Sequence, residues 1–136
     1  MRLIKNPTTD QIRSFLQSAG SSLKTFRYFD KRDVSIIQNH IFTALYESDD
    51  QFVGYGHLDK EDDVVWLGIC LRPDQIGKGL SKTIMNDIIL FAKSNNIDEV
   101  NLSVDADNVR AISLYEKFGF QTVNNSSKVK LMKARI

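Results

Sequence analysis

Cysteine is nearly absent from this chain, with Cys70 the only one. One cysteine excludes an intrachain disulfide and leaves no thiolate set for a structural zinc. Proline occurs only at Pro7 and Pro73, and no low-complexity stretch or internal repeat interrupts the sequence. Nothing therefore marks a linker. Neither sign of charge dominates: 18 Lys and Arg against 17 Asp and Glu give a formal net charge of +1. That balance provides neither the basic footprint of a nucleic-acid binder nor an acidic tail. No apolar run approaches the ~20 residues of a membrane span. The N-terminal MRLIKNPTTDQ lacks an apolar core of signal-peptide length. The expectation is one domain over residues 1–136, cytoplasmic, with no metal and no nucleic-acid or membrane partner. A chain of this size buries roughly two-thirds of its unfolded surface and can hold a core without covalent staples.

What is present has a clear order. Arg2–Lys5 reads as a short strand. Thr8, Thr9 or Asp10 can cap a helix that carries Ile12, Phe15 and Leu16 and ends at Gly20. Ser21–Asp30 is irregular and aromatic, and Asp33–Asn39 predicts a second short helix with Val34 and Ile37 inward. Three strands follow, Ile41–Glu47, Phe52–Leu58 and Val64–Leu71, with turns at Asp49–Asp50 and Glu61–Asp63. The short connections predict an antiparallel meander, and the apolar run Val64–Leu71 a strand buried on both faces. The period then changes. Leu80, Ile84, Ile88 and Phe91 lie on one helix face. Val100, Leu102 and Val104 alternate with polar residues, and Asp107 or Asn108 starts a helix that Gly119 stops. Phe120–Val123 and Val129–Met132 are the last strands, around a turn at Asn124–Ser127. The order β-α-α-β-β-β-α-β-α-β-β indicates α+β: a mixed, mostly antiparallel sheet flanked by helices.

Two segments carry candidate chemistry. In the first, a buried strand runs through Arg72-Pro73-Asp74-Gln75-Ile76 into Gly77-Lys78-Gly79 and an amphipathic helix. Glycines permit close backbone approach, and the first amides of a helix lack partners and sit at the positive end of its dipole. Such a turn can hold an anion, with Lys78 and Lys82 at its rim, or can be a plain strand-to-helix connection. It fits neither G-x-x-x-x-G-K-[ST] nor G-x-G-x-x-G. In the second segment Asn108 precedes Tyr115 by about two helical turns, so the two side chains point the same way about 10 Å apart. Taken alone, Asn108 serves as a cap and Tyr115 as a core residue with its hydroxyl at the surface.

Together these segments resemble the GNAT superfamily, the Gcn5-related N-acetyltransferases. The likeness covers roughly Gln51 to Val123. It rests on Val65-Trp66-Leu67-Gly68-Ile69-Cys70-Leu71-Arg72-Pro73 with Gly77-Lys78-Gly79-Leu80, and on Asn108-Val109-Arg110-Ala111-Ile112-Ser113-Leu114-Tyr115-Glu116-Lys117-Phe118-Gly119-Phe120. The resemblance implies acetyl-CoA as cosubstrate. Ile69, Cys70 and Leu71 would offer backbone groups to the pantetheine arm where two strands splay. Ile76, Gly77, Lys78, Gly79, Leu80, Ser81 and Lys82 would wrap the pyrophosphate. Asn108 would hydrogen-bond the arm, and Tyr115 would stand near the thioester sulfur as general acid. Two positions depart from the family's Q/R-x-x-G-x-G/A pattern: Ile76 replaces Gln or Arg, and Ser81 replaces Gly or Ala. Gln75 lies one place off register.

The acceptor side is less marked. His57 suits proton removal near neutral pH, or is a structural histidine of its strand. Asp59, Glu61 and Asp63 read as solvated turn charges, and His40 as a boundary residue. Arg27, Tyr28 and Phe29 fall in an aromatic, basic loop. Arg27 or Arg32 could fork onto a phosphate or carboxylate of the acceptor, and Tyr28 and Phe29 could stack on a sugar or base. Equally, Phe26 and Phe29 could plug the core. The expected function is acetyl transfer to a primary amine of a small molecule, with an aminosugar or nucleotide sugar as the finer guess. Alternatives are a protein N-terminal or lysine acetyltransferase and a non-catalytic acyl-CoA sensor. Exposed sheet edges leave a homodimer open.

Overall fold

Two hairpins organise the N-terminal half, and each turns on an Asp-Asp pair. Asp49 and Asp50 have φ of 52° and 61°, and Asp62 and Asp63 have φ of 49° and 67°. Two consecutive left-handed residues form the tight turn that matches strand twist, and Asp tolerates that region better than most side chains. The computed structural model describes residues 1–126 and 128–136, the side chain of Asn125 excepted. In chain order the elements are β1 (Arg2–Lys5), α1 (Thr9–Ala19), β2 (Phe42–Ser48), β3 (Gln51–Glu61), β4 (Val64–Leu71), α2 (Leu80–Ser94), β5 (Glu99–Asp105), α3 (Val109–Lys117), β6 (Gln121–Asn125) and β7 (Val129–Arg135). Short 3-10 turns occupy Gly20–Lys24, Val34–Asn39 and Pro73–Gln75.

The strands form one seven-stranded sheet in the order β1-β2-β3-β4-β5-β7-β6. All neighbours are antiparallel except β4 and β5, which the α2 crossover makes parallel. The expected mixed sheet and meander are therefore present. Three expectations change. Val34–Asn39 is a 3-10 turn capped by Asp33 rather than an α-helix. β4 is not buried on both faces; its burial alternates, because one side lines open space. β3 continues to Glu61, three residues beyond the expected Leu58, and so carries Asp59 into the sheet. The last expected turn, at Asn124–Ser127, includes Ser127, which lies outside the described residues.

The sheet is covered on both faces. α1 starts at a capping box, in which the Thr8 hydroxyl accepts from the Gln11 amide and the Gln11 side chain accepts from the Thr8 amide. It buries Ile12, Phe15 and Ala19 against Leu45, Tyr55 and Cys70. α2 buries Ile84 and Ile88 against the opposite face. There β3 supplies glycines, because a Cβ at Gly56 would lie 2.7 Å from Ile84 Cγ2. The helix thus rests directly on strand backbone. With Gly54 and Gly56 facing α2, the alternating residues Tyr55, His57 and Asp59 face the α1 side. Among the described residues, no helix is long and apolar enough to cross a membrane.

Candidate active site

The parallel pair is where the sheet opens. β4 and β5 share a single register position, Trp66 opposite Asn101, and diverge beyond it. The β5-facing backbone edge of β4 from Gly68 onward therefore has no strand partner. Two cavities, of about 490 and 590 Å³, occupy the gap. Thr25, Phe26, Ile69, Asn108 and Tyr115 border both, so these residues stand at the junction.

The larger cavity is bounded by Ile69, Cys70 and Leu71 of β4 and by the loop that enters α2. Gly77 and Gly79 have φ of 84° and 89°. Gly79 is the N-cap of α2 and has no side chain to cap with, so the amides of the first turn are left free. Gly77, Gly79, Ser81 and Lys82 line the cavity, as does Ile76, which is 46% exposed. Lys78 and Leu80 do not line it, and Leu80 instead turns into the core. Cations missed at the sequence level come from α3. Arg110 places its guanidinium nitrogens 3.5 and 3.6 Å from where a Cβ on Gly77 would sit. Lys117 borders the same space. Arg110 makes no ion pair among the described residues.

Asn108 caps α3, its Oδ1 accepting from the Ala111 amide at 3.3 Å. Its side-chain amide nitrogen has no partner among the described residues, and Asn108 borders both cavities. Tyr115 is 7% exposed, and its hydroxyl has no partner among the described residues. No enclosed side-chain nitrogen or oxygen among the described residues lacks a partner. The hydroxyl therefore opens into the junction. Burial, and after it the nearby Cys70, push this phenol above its usual range. Burial also pushes the Cys70 thiol up, to about 12.

The smaller cavity is walled by polar groups from the α1 side. His57 is buried, and its Nδ1 shares a 2.6 Å hydrogen bond with the Tyr55 hydroxyl. Its ring lies over Gly68, where a Cβ would come within 2.6 Å of Nε2. A second chain runs beside it. The Tyr28 hydroxyl donates to Asp59 Oδ2 at 2.7 Å and contacts His40 Nε2 at 2.7 Å. His40 Nδ1 meets the Thr43 hydroxyl at 2.9 Å. Because Tyr28 gives its proton to Asp59, the consistent order is Thr43 donating to His40 and His40 to Tyr28. Asp59 is only 4% exposed. It is a buried wall residue, not the solvated turn charge expected from sequence. His40 likewise belongs to a network and is more than a strand boundary.

Arg27 forks onto Asp105 at 2.7 and 3.0 Å and donates to the Lys24 carbonyl at 2.7 Å. This bonding holds the Asp105 carboxyl below the usual carboxylate range. The fork expected for a phosphate of the acceptor is filled from within the chain. Arg32 is similarly committed, to Glu61 at 3.3 Å, to the Tyr28 carbonyl and to the Tyr28 ring at 4.3 Å. Tyr28 lines the cavity, whereas Phe29 packs into the smaller core.

Both histidines titrate below 6.5, chiefly through burial, and more strongly at His57. The unfolded chain takes up their protons near pH 6.5 while the folded chain resists, so stability must fall as pH drops through that value. The slope is at most ~1.4 kcal/mol per pH unit for each fully buried histidine. We expect the melting temperature to drop between about pH 7 and 5, and the drop to shrink in His57→Gln. Identical pH–melting curves for the two proteins would contradict the burial described for His57.

Comparisons with known proteins show the family. The profile of the Acetyltransferase (GNAT) family matches residues 9–120. The chain belongs to the GNAT family. GNAT relatives span different acceptors. The chain is 34% identical over 83 residues to the mycothiol acetyltransferase of Streptomyces coelicolor, a match covering 57% of this chain and 26% of that protein. It thus spans about a quarter of that relative. Its fold is similar to the PaiA N-acetyltransferase of Thermoplasma acidophilum in complex with coenzyme A, with a TM-score of 0.79, 18% identity and 100% of both chains covered. It is also similar to the ribosomal-protein-S18-alanine N-acetyltransferase of Escherichia coli, with a TM-score of 0.78, 17% identity and 99% and 93% covered. The family profile that this chain matches describes acetyltransferases, and the cosubstrate that its motifs imply is acetyl-CoA. Its residues fit that cosubstrate: free first-turn amides, Lys82 and Arg110 suit a diphosphate, and the unpaired edge of β4 suits the amides of a pantetheine arm.

Proposed function

We propose that this GNAT enzyme transfers the acetyl group of acetyl-CoA to a primary amine of a small molecule by direct attack, with Tyr115 protonating the departing thiolate. The observation that carries this reading is the shared border of the two cavities. Tyr115 and Asn108 stand where a groove suited to the coenzyme meets a chamber of polar side chains.

The chemistry follows from the environment of each group. A raised phenol stays protonated at neutral pH and keeps its proton to give. The Cys70 thiol indicates what burial does to a thiolate in this neighbourhood. A coenzyme thiolate released there would be similarly unstable and would take a proton readily. Burial raises phenol and thiol together, so transfer between them stays close to balanced. The backbone N–H of Leu71, on the edge of β4 away from β3, would face the developing oxyanion; the Cys70 amide, like that of Arg72, turns toward β3. His57 is neutral at neutral pH because its folded pKa is depressed. In the tautomer that donates Nδ1–H to Tyr55, its Nε2 lone pair can accept a proton from the amine. Phe26 and Tyr28 wall the acceptor chamber. That wall supports a small-molecule acceptor over a peptide, which needs a groove open at both ends.

The test is thiol release from acetyl-CoA across a panel of small amines and N-terminal peptides. Release that depends on a small amine is expected. Release with peptides alone would replace the small-molecule reading, and coenzyme binding without any release would replace it with a sensor.

A further inference from the structure

Resting on the acetyltransferase reading, we infer that Asp59 is a specificity residue that holds a second, non-reacting cationic group of the acceptor. The chamber wall carries two guanidiniums and three carboxylates. Among the described residues Arg27 is bound to Asp105 and Arg32 to Glu61, which leaves Asp59 as the one carboxylate of the wall without a cation. Its Oδ2 accepts from Tyr28, while Oδ1 has no donor among the described residues. Since no enclosed side-chain oxygen there lacks a partner, Oδ1 opens into the chamber. A buried carboxylate is costly to leave unpaired. Here the Thr43–His40–Tyr28 chain fixes its orientation without supplying positive charge, because burial keeps His40 neutral near pH 7. The missing charge is then the ligand's.

Position separates this cation from the amine that reacts. Asp59 stands opposite Trp66 on β4, whereas the junction with Tyr115 lies at Ile69, three residues further along. At about 3.3 Å per residue that is roughly 10 Å, too far for the nitrogen held by Asp59 to be the one under Tyr115. The acceptor is therefore an extended molecule with one amine at the junction and a second cationic group about 6–10 Å behind it.

Trp66 is the chain's single tryptophan and borders the same chamber, so its fluorescence reports occupancy without any turnover. The experiment titrates α,ω-diamines and monoamines of equal chain length while following Trp66 emission, and measures thiol release in parallel. A diamine is expected to bind at least tenfold more tightly than its monoamine, and Asp59→Asn to abolish that difference. Arg32→Gln, which frees Glu61 and removes a positive charge from the wall, is expected to tighten diamine binding several-fold and covers the case in which Asp59→Asn does not fold. Equal affinity for the two amine types in the parent protein, or a preference that survives Asp59→Asn, overturns the inference. Asp59-dependent diamine binding without thiol release would uphold this site and overturn the acetyl-transfer reading instead.

Discussion

Replacing Tyr115 by Phe is expected to lower turnover by about 10²- to 10⁴-fold, the usual span for loss of a positioned acid. Coenzyme affinity should change by less than about twofold, since no bond from the hydroxyl to a described residue is lost and the ring keeps its packing beside Phe120. A structural role predicts the reverse, a lowered melting temperature with proportionate loss of everything else. The leaving group separates the two. Acetyl thioesters of more acidic thiols need less help from an acid, so the deficit of Tyr115→Phe should shrink as the thiol pKa falls. A deficit that is the same for every thioester would remove Tyr115 from the proton transfer. Because burial raises the phenol, ionisation of Tyr115 should not cut the rate on the alkaline side until well above neutral pH.

Gly79→Val is expected to raise the dissociation constant of coenzyme A by about tenfold or more. The cause is backbone, not crowding: nothing lies within 4 Å of a Cβ built at this position, yet its φ is 89°. A β-branched residue in the left-handed region costs roughly 1–2 kcal/mol or more and would rotate the peptide that opens α2. The first-turn amides would then point elsewhere, and each 1.4 kcal/mol lost is about tenfold in affinity. Asn tolerates this region better than Ala or Val. The order of affinity should therefore run Gly, Asn, Ala, Val, as read by calorimetric titration with coenzyme A. Equal affinity for all four would mean that the amides of Gly79–Lys82 do not hold the diphosphate. Arg110 offers a comparison, because it approaches the same turn from α3 and would act on a diphosphate by charge rather than by backbone.

His57 and Asp59 show how far the local pattern reached. Alternation already set Tyr55 and His57 on one face, and one more step of two would have set Asp59 beside them. Read from sequence the strand ends at Leu58, and the Asp-Lys-Glu-Asp-Asp run that follows is polar. In the fold that polarity is half turn and half chamber wall: β3 continues to Glu61, and only Asp62 and Asp63 bend back. A buried carboxylate and a solvated one have the same sequence signature.

Local physics alone determined the order of strands and helices, the Asp-Asp hairpins, the face of α2 that packs, and the glycine turn with its free amides. Each depends on neighbours within a few residues. Only the tertiary structure decided that Arg27 spends its fork on Asp105, that Arg110 approaches the glycine turn from α3, and that Asp59 is enclosed without a cation among the described residues. Those pairings join residues as far as 78 positions apart. Charge partners at that separation are chosen by how β3, β4 and β5 splay, and no periodicity in the chain encodes the splay.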